Sequence, residues 1–480
     1  MASKNMVLSN DDILANVCEF VGEGHFFFVS NINKKFRNAY KDYLTARGVE
    51  QNTGFATTAD SITESKSRVA SAWYERIPED MDGRKWSNRG RAMLCAVARK
   101  GNLLAIKWLM HPDQRPTFRK LAPWTCDHVQ LTICEISARN GHLDVLQHVA
   151  KGGDQRLCDL TSICSSAAQG GHLHILQWAR KNGCPWDGLT CAHAAQGDHL
   201  HLLQWARKNG CPWDAWTCSF AAKSGNLRIL QWARENGCPW NEDTCKAAAH
   251  GGHLNILQWA RANGCPWSGC TCCEAAGEGH LHILQWAREN GCPWDEDTCS
   301  CAAHGGHLHV LQWARDNDCP WNANTCAFAA GNGHLHILQW ARENGCPWNK
   351  YTCSYAAGHG DLHILQWARE NGCPWNKYTC SEAARGGHLH IVQWARENGC
   401  PWHEDTCVNA AVGGHLHVLQ WAREHDCPWD QFTCVQNAKY FGHRHILQWV
   451  VDSGCPSDAM GSYNIGLDEI TEWLQEQKDI

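Results

Sequence analysis

Ten tryptophans stand at one constant spacing. Trp178, Trp205, Trp232, Trp259, Trp286, Trp313, Trp340, Trp367, Trp394 and Trp421 are each 27 residues apart, and Trp449 follows one residue late. A fixed period of this length means that each copy is one supersecondary unit and that the fold is made by stacking copies. A typical unit, TCSYAAGHGDLHILQWARENGCPWNKY, runs from Thr352 to Tyr378. Less regular copies precede it, with GHLDVLQHVAKGG inside 133–158 and GNLLAIKWLM inside 91–116. About 13 units span residues 91–455, and LDEITEWLQEQ beyond them reads as half a unit, a capping helix over 456–480.

Each unit predicts two helical segments. The first, near Thr352 to Ala357, is short and rich in small Cys and Ala. The second, Leu362 to Asn371, is apolar at Leu362, Ile364, Leu365, Trp367 and Ala368. That stripe is too wide for a lone surface helix, so neighbouring copies must cover it. Gly372 supplies a left-handed stop and Pro374 prevents continuation; Asp318 and Asp426 take the stop position in two units. No strand signal recurs. The expected fold class is all-α, an α-solenoid of stacked helix-turn-helix repeats.

Composition narrows the function classes. The formal charge is -6 and charged residues make up 19% of the chain. A nucleic-acid binder usually carries a basic excess, so no nucleic-acid partner is expected. The opening MASKNMVLSNDD lacks an apolar signal core, and no run approaches the roughly 18 apolar residues of a membrane helix. These features predict a monomeric, soluble protein of the cytoplasm or nucleus with no membrane partner. Thirty cysteines in such a chain are expected to stay reduced.

GHLHILQWARENG resembles the second half of an ankyrin repeat, whose pattern reads GHLEIVKLLLENGADVN. Registered on the paired alanines, Ala302 and Ala303 match the family's AA, Cys299 its TPLH Leu, Asp297 its capping Thr, Cys292 its GADVN Ala and Trp294 its Val. An ankyrin unit has about 33 residues, and the six missing here fall between Trp294 and Asp297, where the family builds its β-hairpin finger. The resemblance implies short ankyrin-like repeats, of the kind found in algae, protists and giant viruses, with trimmed fingers. The large Trp side chains would compensate for the lost packing, each contributing up to a few kcal/mol.

The N-terminal stretch is similar to an F-box. Leu8, Asp11, Ile13, Leu14, Val17 and Phe20 fit the first part of that motif, and Val29, Ile32, Lys34 and Phe36 the second, with Ser9 in place of the usual Pro. The resemblance implies that residues 1–45 dock on a ubiquitin-ligase adaptor subunit through Leu8, Ile13, Leu14, Phe20, Val29 and Phe36. The alternative is a helical cap over the first repeat. Residues 46–90, including the polar QNTGFATTADSITE, read as a linker or connecting helix.

Cys and His recur in every unit, so metal has to be weighed. Cys292 and Cys299 are seven apart, whereas zinc-binding pairs usually stand two to four apart on a tight turn. Both map onto core positions, and the first His of GHLH, such as His280, is similar to a family His that hydrogen-bonds the inter-helix turn. The second His falls on the outer side of the long helix and forms a ladder of His282, His309, His336, His363, His390 and His417. No metal site, cofactor or catalytic residue is predicted, because no phosphate-cradling, HExxH or G-x-S-x-G motif occurs and the Cys–His groups repeat as packing does. The chain is expected not to be an enzyme.

Units agree at packing positions, so binding is sought where they differ. The variable positions flank TC and follow AA, and the resemblance puts them on the short helix and trimmed loop, along one edge and the concave face. Trp216, Phe220, Lys223, Asp243 and Lys246 form one candidate group; Lys350, Tyr351, Tyr355, Lys377, Tyr378 and Arg385 form another. Aromatics flanked by charge suit protein contacts. The function this predicts is a non-catalytic protein-interaction scaffold, with substrate recognition for a ubiquitin ligase as its more specific form. The alternative is a regulator responding to metal or redox state through the repeated Cys and His.

Overall fold

The computed structural model describes residues 95, 97–103, 106, 126–152 and 161–452. The expected segments over 1–45, 46–90 and 456–480 lie outside the described residues, as do the adaptor-facing positions Leu8, Ile13, Leu14, Phe20, Val29 and Phe36. Contacts divide the chain into two units, Met1–Trp213 and Asp214–Ile480. Among the described residues every regular element is an α-helix, and no helix is long and apolar enough to cross a membrane.

In the first unit, α1 (Cys126–Asn140) pairs with α2 (Leu143–Gly152), α3 (Thr161–Gln169) with α4 (Leu173–Lys181), and α5 (Gly188–Gln196) with α6 (Leu200–Lys208). The second unit continues the alternation with α7 (Ala215–Lys223), α8 (Leu227–Glu235), α9 (Glu242–His250), α10 (Leu254–Ala262), α11 (Gly269–Gly277) and α12 (Leu281–Glu289). It goes on through α13 (Glu296–His304), α14 (Leu308–Asp316), α15 (Ala323–Gly331), α16 (Leu335–Glu343), α17 (Lys350–His359) and α18 (Leu362–Glu370). The last are α19 (Lys377–Arg385), α20 (Leu389–Glu397), α21 (Asp405–Gly413), α22 (Leu416–Glu424), α23 (Gln431–Tyr440) and α24 (Arg444–Asp452).

Within each unit a short helix packs on the short helix of the next repeat and on the long helix of its own. Small residues permit the first approach. In α17, Cys353, Ala356 and Ala357 are fully buried, and in α18 Leu365 and Ala368 are too, with Ile364 at 1%. Leu362 and Trp367 are half-buried. The short helix begins earlier than its sequence suggests, because the residue after CPW caps it. Asn349 Oδ1 accepts from Tyr351 N at 2.9 Å and Asn376 Oδ1 from Tyr378 N at 3.1 Å. In α13 the cap is Asp295, not Asp297, which lies inside the helix and donates its N–H to Asp295 Oδ1.

The tryptophans are half-buried rather than enclosed, and they pack on one another. The Trp after CP meets the long-helix Trp of the next repeat edge-to-face, as in Trp348–Trp367 at 6.0 Å and Trp375–Trp394 at 5.9 Å between ring centroids. The Arg of WAR lies over the same ring, Arg369 at 4.1 Å from Trp375, and donates to the carbonyl of Cys373. Trp375, Trp394 and Trp402 cover a buried cluster of Cys380, Ala395 and Cys400. Among the described residues no finger is present: Asp295 alone separates Trp294 from Glu296, the first residue of α13.

Consecutive repeats are locked by a glycine and a histidine. Gly387 has φ 76°, and a Cβ there would lie 2.5 Å from the His415 ring of the following repeat. In several copies the first His of GHLH also reaches a carbonyl at the end of the short helix of the preceding repeat. His334 Nε2 donates to His304 O at 3.2 Å and His172 Nε2 to Arg139 O at 3.1 Å. Those carbonyls lack an intrahelical partner, so the imidazole satisfies a helix end while fixing register. The left-handed stop falls on Gly372, φ 81°, and on Asp318 and Asp426, φ 62° and 60°.

Candidate partner-binding surface

The variable positions all lie on the short helices. On α7, Trp216 is 54% exposed and packs edge-to-face on half-buried Phe220, with centroids 5.9 Å apart and Lys223 exposed at the helix end. Asp243 and Lys246 on α9 are turned toward intramolecular partners. Asn241 Nδ2 donates to Asp243 Oδ2 at 2.9 Å, and Lys246 Nζ pairs with Glu274 at 3.5 Å, beside His250 at 3.0 Å from the same carboxylate.

The second group is brought together. Tyr351, Tyr355 and Tyr378 are 42%, 41% and 38% exposed. Tyr351 and Tyr355 are 6.2 Å apart on successive turns of α17, and Tyr355 stacks on Phe328 of α15 at 6.2 Å and 18°. His304 meets the other side of Phe328 edge-on at 5.9 Å. Lys350 Nζ lies 5.4 Å from the Tyr351 ring and 5.9 Å from that of Tyr378, and Lys377 Nζ 5.6 Å from Tyr378. Lys377 also pairs with Asp405 at 3.5 Å. The result is an aromatic strip across α15 and α17 that Lys350 bridges to Tyr378 of α19, with ammonium groups at its edge.

Beside the strip runs an open groove of about 490 Å³, lined by His304, Phe328, Gly331, Asn332, Ser354, Tyr355, Gly358, His359, Glu382, Arg385 and Gly386. Its depth has a sequence cause. The residue after the Ala pair is Lys223, His250, His304 or Arg385 in other repeats and Gly277 in one, but only Gly331 and Gly358 place glycine there in two consecutive described repeats. A Cβ at 331 would lie 2.9 Å from Tyr355 Cβ, and one at 358 would lie 3.3 Å from Glu382 Cβ. Phe328 was not among the expected site residues, and His304, His359 and Glu382 were expected only as variable positions. The signal for their grouping was this pair of consecutive glycines.

The repeated cysteines take no part in this surface. Among the described residues, those at the TC and GC positions of the second unit are fully buried, and no three His, Cys, Asp or Glu groups converge as a metal site would require. The thiol of the GC cysteine donates to a loop carbonyl before the short helix, Cys373 Sγ to Asn349 O at 3.6 Å and Cys265 Sγ to Asn241 O at 3.4 Å. The outward histidines, His282, His309, His336, His363, His390 and His417, form an exposed row on the long helices.

No protein-family model matches the chain, and no curated protein does. Among solved structures, the chain is similar to the pentatricopeptide repeat protein PPR10 from maize, with a TM-score of 0.30 and 14% identity over 98% of this chain and 78% of that one. It is likewise similar to that protein in complex with an 18-nt psaJ RNA element, with a TM-score of 0.30 and 13% identity over 98% and 74% of the two chains. The latter structure holds RNA, and the expectation that nucleic acid is excluded as a partner is corrected on the charge argument that carried it. The physical reason is that a net charge of -6 describes the whole chain, whereas a ligand meets one face. Here Lys350 and Arg385 are exposed beside the aromatic strip and groove.

Proposed function

We propose that the chain is a non-catalytic scaffold of short, ankyrin-like repeats that holds a partner protein on its short-helix face, along α15, α17 and α19. The observation that carries this reading is the strip of Tyr351, Tyr355 and Tyr378, each about two-fifths exposed, beside a groove floored by Gly331 and Gly358. Tyr supplies large contact area at low entropic cost, and anchors of this kind dominate binding energy. The basic edge of Lys350, Lys377 and Arg385 favours a segment with acidic residues beside apolar ones.

The test compares the intact chain with a Tyr351→Ala/Tyr378→Ala double variant. Loss of two anchors should weaken capture of the partner at least about tenfold, about 1.4 kcal/mol or more, with a nearly unchanged melt. A melt that collapses would make the tyrosines core residues. Recovered material that disappears on ribonuclease treatment would replace the protein partner by RNA.

The ligase form of this function rests on the F-box-like residues Leu8, Ile13, Leu14, Phe20, Val29 and Phe36. It requires an adaptor subunit to co-purify with the intact chain and to be lost on removing residues 1–45.

A further inference from the structure

Within the second unit three cysteines stand outside the repeated TC and GC positions: Cys270, Cys273 and Cys301. They differ from the repeated ones in environment as well. Cys270 is exposed, Cys273 and Cys301 are half-buried, and the repeated cysteines of this unit are fully buried. Cys273 occupies the first position after TC on α11, and Cys301 the second position after TC on α13 of the next repeat. Stacking of the short helices sets the Cys273 side of α11 against the turn of α13 that carries Thr298 and Cys301, so the two side chains lie on facing sides of adjacent repeats. Cys273 Sγ also lies 3.7 Å from Thr298 Oγ1. Gly277, one turn beyond Cys273, leaves the side of Cys301 open: a Cβ there would stand 3.6 Å from Cys301 Cβ.

We propose that Cys273 and Cys301 are a reversible disulfide site that ties two consecutive repeats together when a small external disulfide, such as oxidised glutathione, is available. This goes beyond the scaffold reading and does not depend on it. The hydrogen bond from the Cys273 thiol favours the Cys301 thiolate, while burial opposes it and Cys273 itself is pushed up. Cys301 Sγ attacks one sulfur of glutathione disulfide, whose S–S bond breaks and releases one glutathione thiolate. Cys273 gives up its proton to that thiolate and attacks Cys301 Sγ, expelling the second glutathione, which takes a proton from solvent. Two protein thiols are oxidised to one disulfide, and one glutathione disulfide is reduced to two thiols.

The buried pairs provide an internal control. Cys353 and Cys373 are also in thiol contact, yet neither is exposed, so an external disulfide reaches them only when the repeat opens.

The experiment treats the full chain with oxidised glutathione, alkylates remaining thiols and digests without reduction. The expected result is a peptide linking 273 to 301, formed also in Cys270→Ser, removed by reductant and absent from Cys273→Ser and Cys301→Ala. Both latter variants are built to fold, because Ser300, Ser354 and Ser381 hold the Cys273 position in other repeats and Ala247 holds that of Cys301. In Cys273→Ser the glutathione should remain on Cys301 as a mixed disulfide. Glutathione stopping on Cys270 or Cys301 of the unaltered chain, with no 273–301 link, overturns the proposal. So does linkage of the buried pairs at the same rate.

Discussion

At the residue scale the histidines do different work from what their spacing suggests. The sequence draws attention to the outward row, of which His417 bonds Gly387 O of the preceding repeat, but the inward row makes the recurring inter-repeat contacts. His172, His334, His388 and His415 lie half-buried between repeats, and burial pushes each imidazole below its usual value, partly offset by the backbone carbonyl it bonds. Burial also lowers His193. A lowered value means that the folded array resists protons which the unfolded chain accepts near pH 6.5. The stability these groups contribute is therefore complete above about pH 6.5 and is lost as pH falls through the lower folded values. Urea midpoints measured at pH 7.5, 6.5 and 5.5 should fall at the acid end, and His388→Gln with His415→Gln should flatten that fall. A midpoint independent of pH over this range would remove the inward histidines as the cause.

At the element scale the short helix depends on its cap more than on its propensity. Its nine or ten residues are too few to be stable alone, and burial of small Cys and Ala side chains returns little per residue. Replacing Asn376 by Ala removes the acceptor for Tyr378 N and should cost about 1 kcal/mol, read as a lower urea midpoint with unchanged slope. A change of no more than a few tenths would mean that tertiary packing alone holds α19 in place. The helix pair was legible in the sequence because Ile364, Leu365 and Ala368 mark one face and Gly372 marks the stop. The cap was not, because the family resemblance drew attention to the residue before TC, two positions too late. For the same reason Tyr351, Tyr355 and Tyr378 could be found from variation between copies, but the groove could not. Its lining comes from four successive repeats, and only stacking shows that Gly331 and Gly358 are adjacent.

At the scale of the whole molecule, each unit is a chain of nearest-neighbour contacts, and stability should be local. In the second unit, α17 touches α15, α19 and its own long helix α18, with no direct packing on α7 or α9. Leu365→Ala empties a fully buried site and should cost about 2–5 kcal/mol. In an additive array that loss falls on the repeat that carries it and on those beside it. Amide exchange should therefore accelerate across α15 to α20 and stay unchanged in α7 to α10. The glycine–histidine lock argues for this pattern, since His388 and His415 each couple one repeat to its predecessor and to nothing further away. Exchange rising equally over 214–452 would instead make the unit a single cooperative block. A partner bound at the aromatic strip would then stabilise repeats it never touches, whereas local coupling confines its protection to α13 through α20.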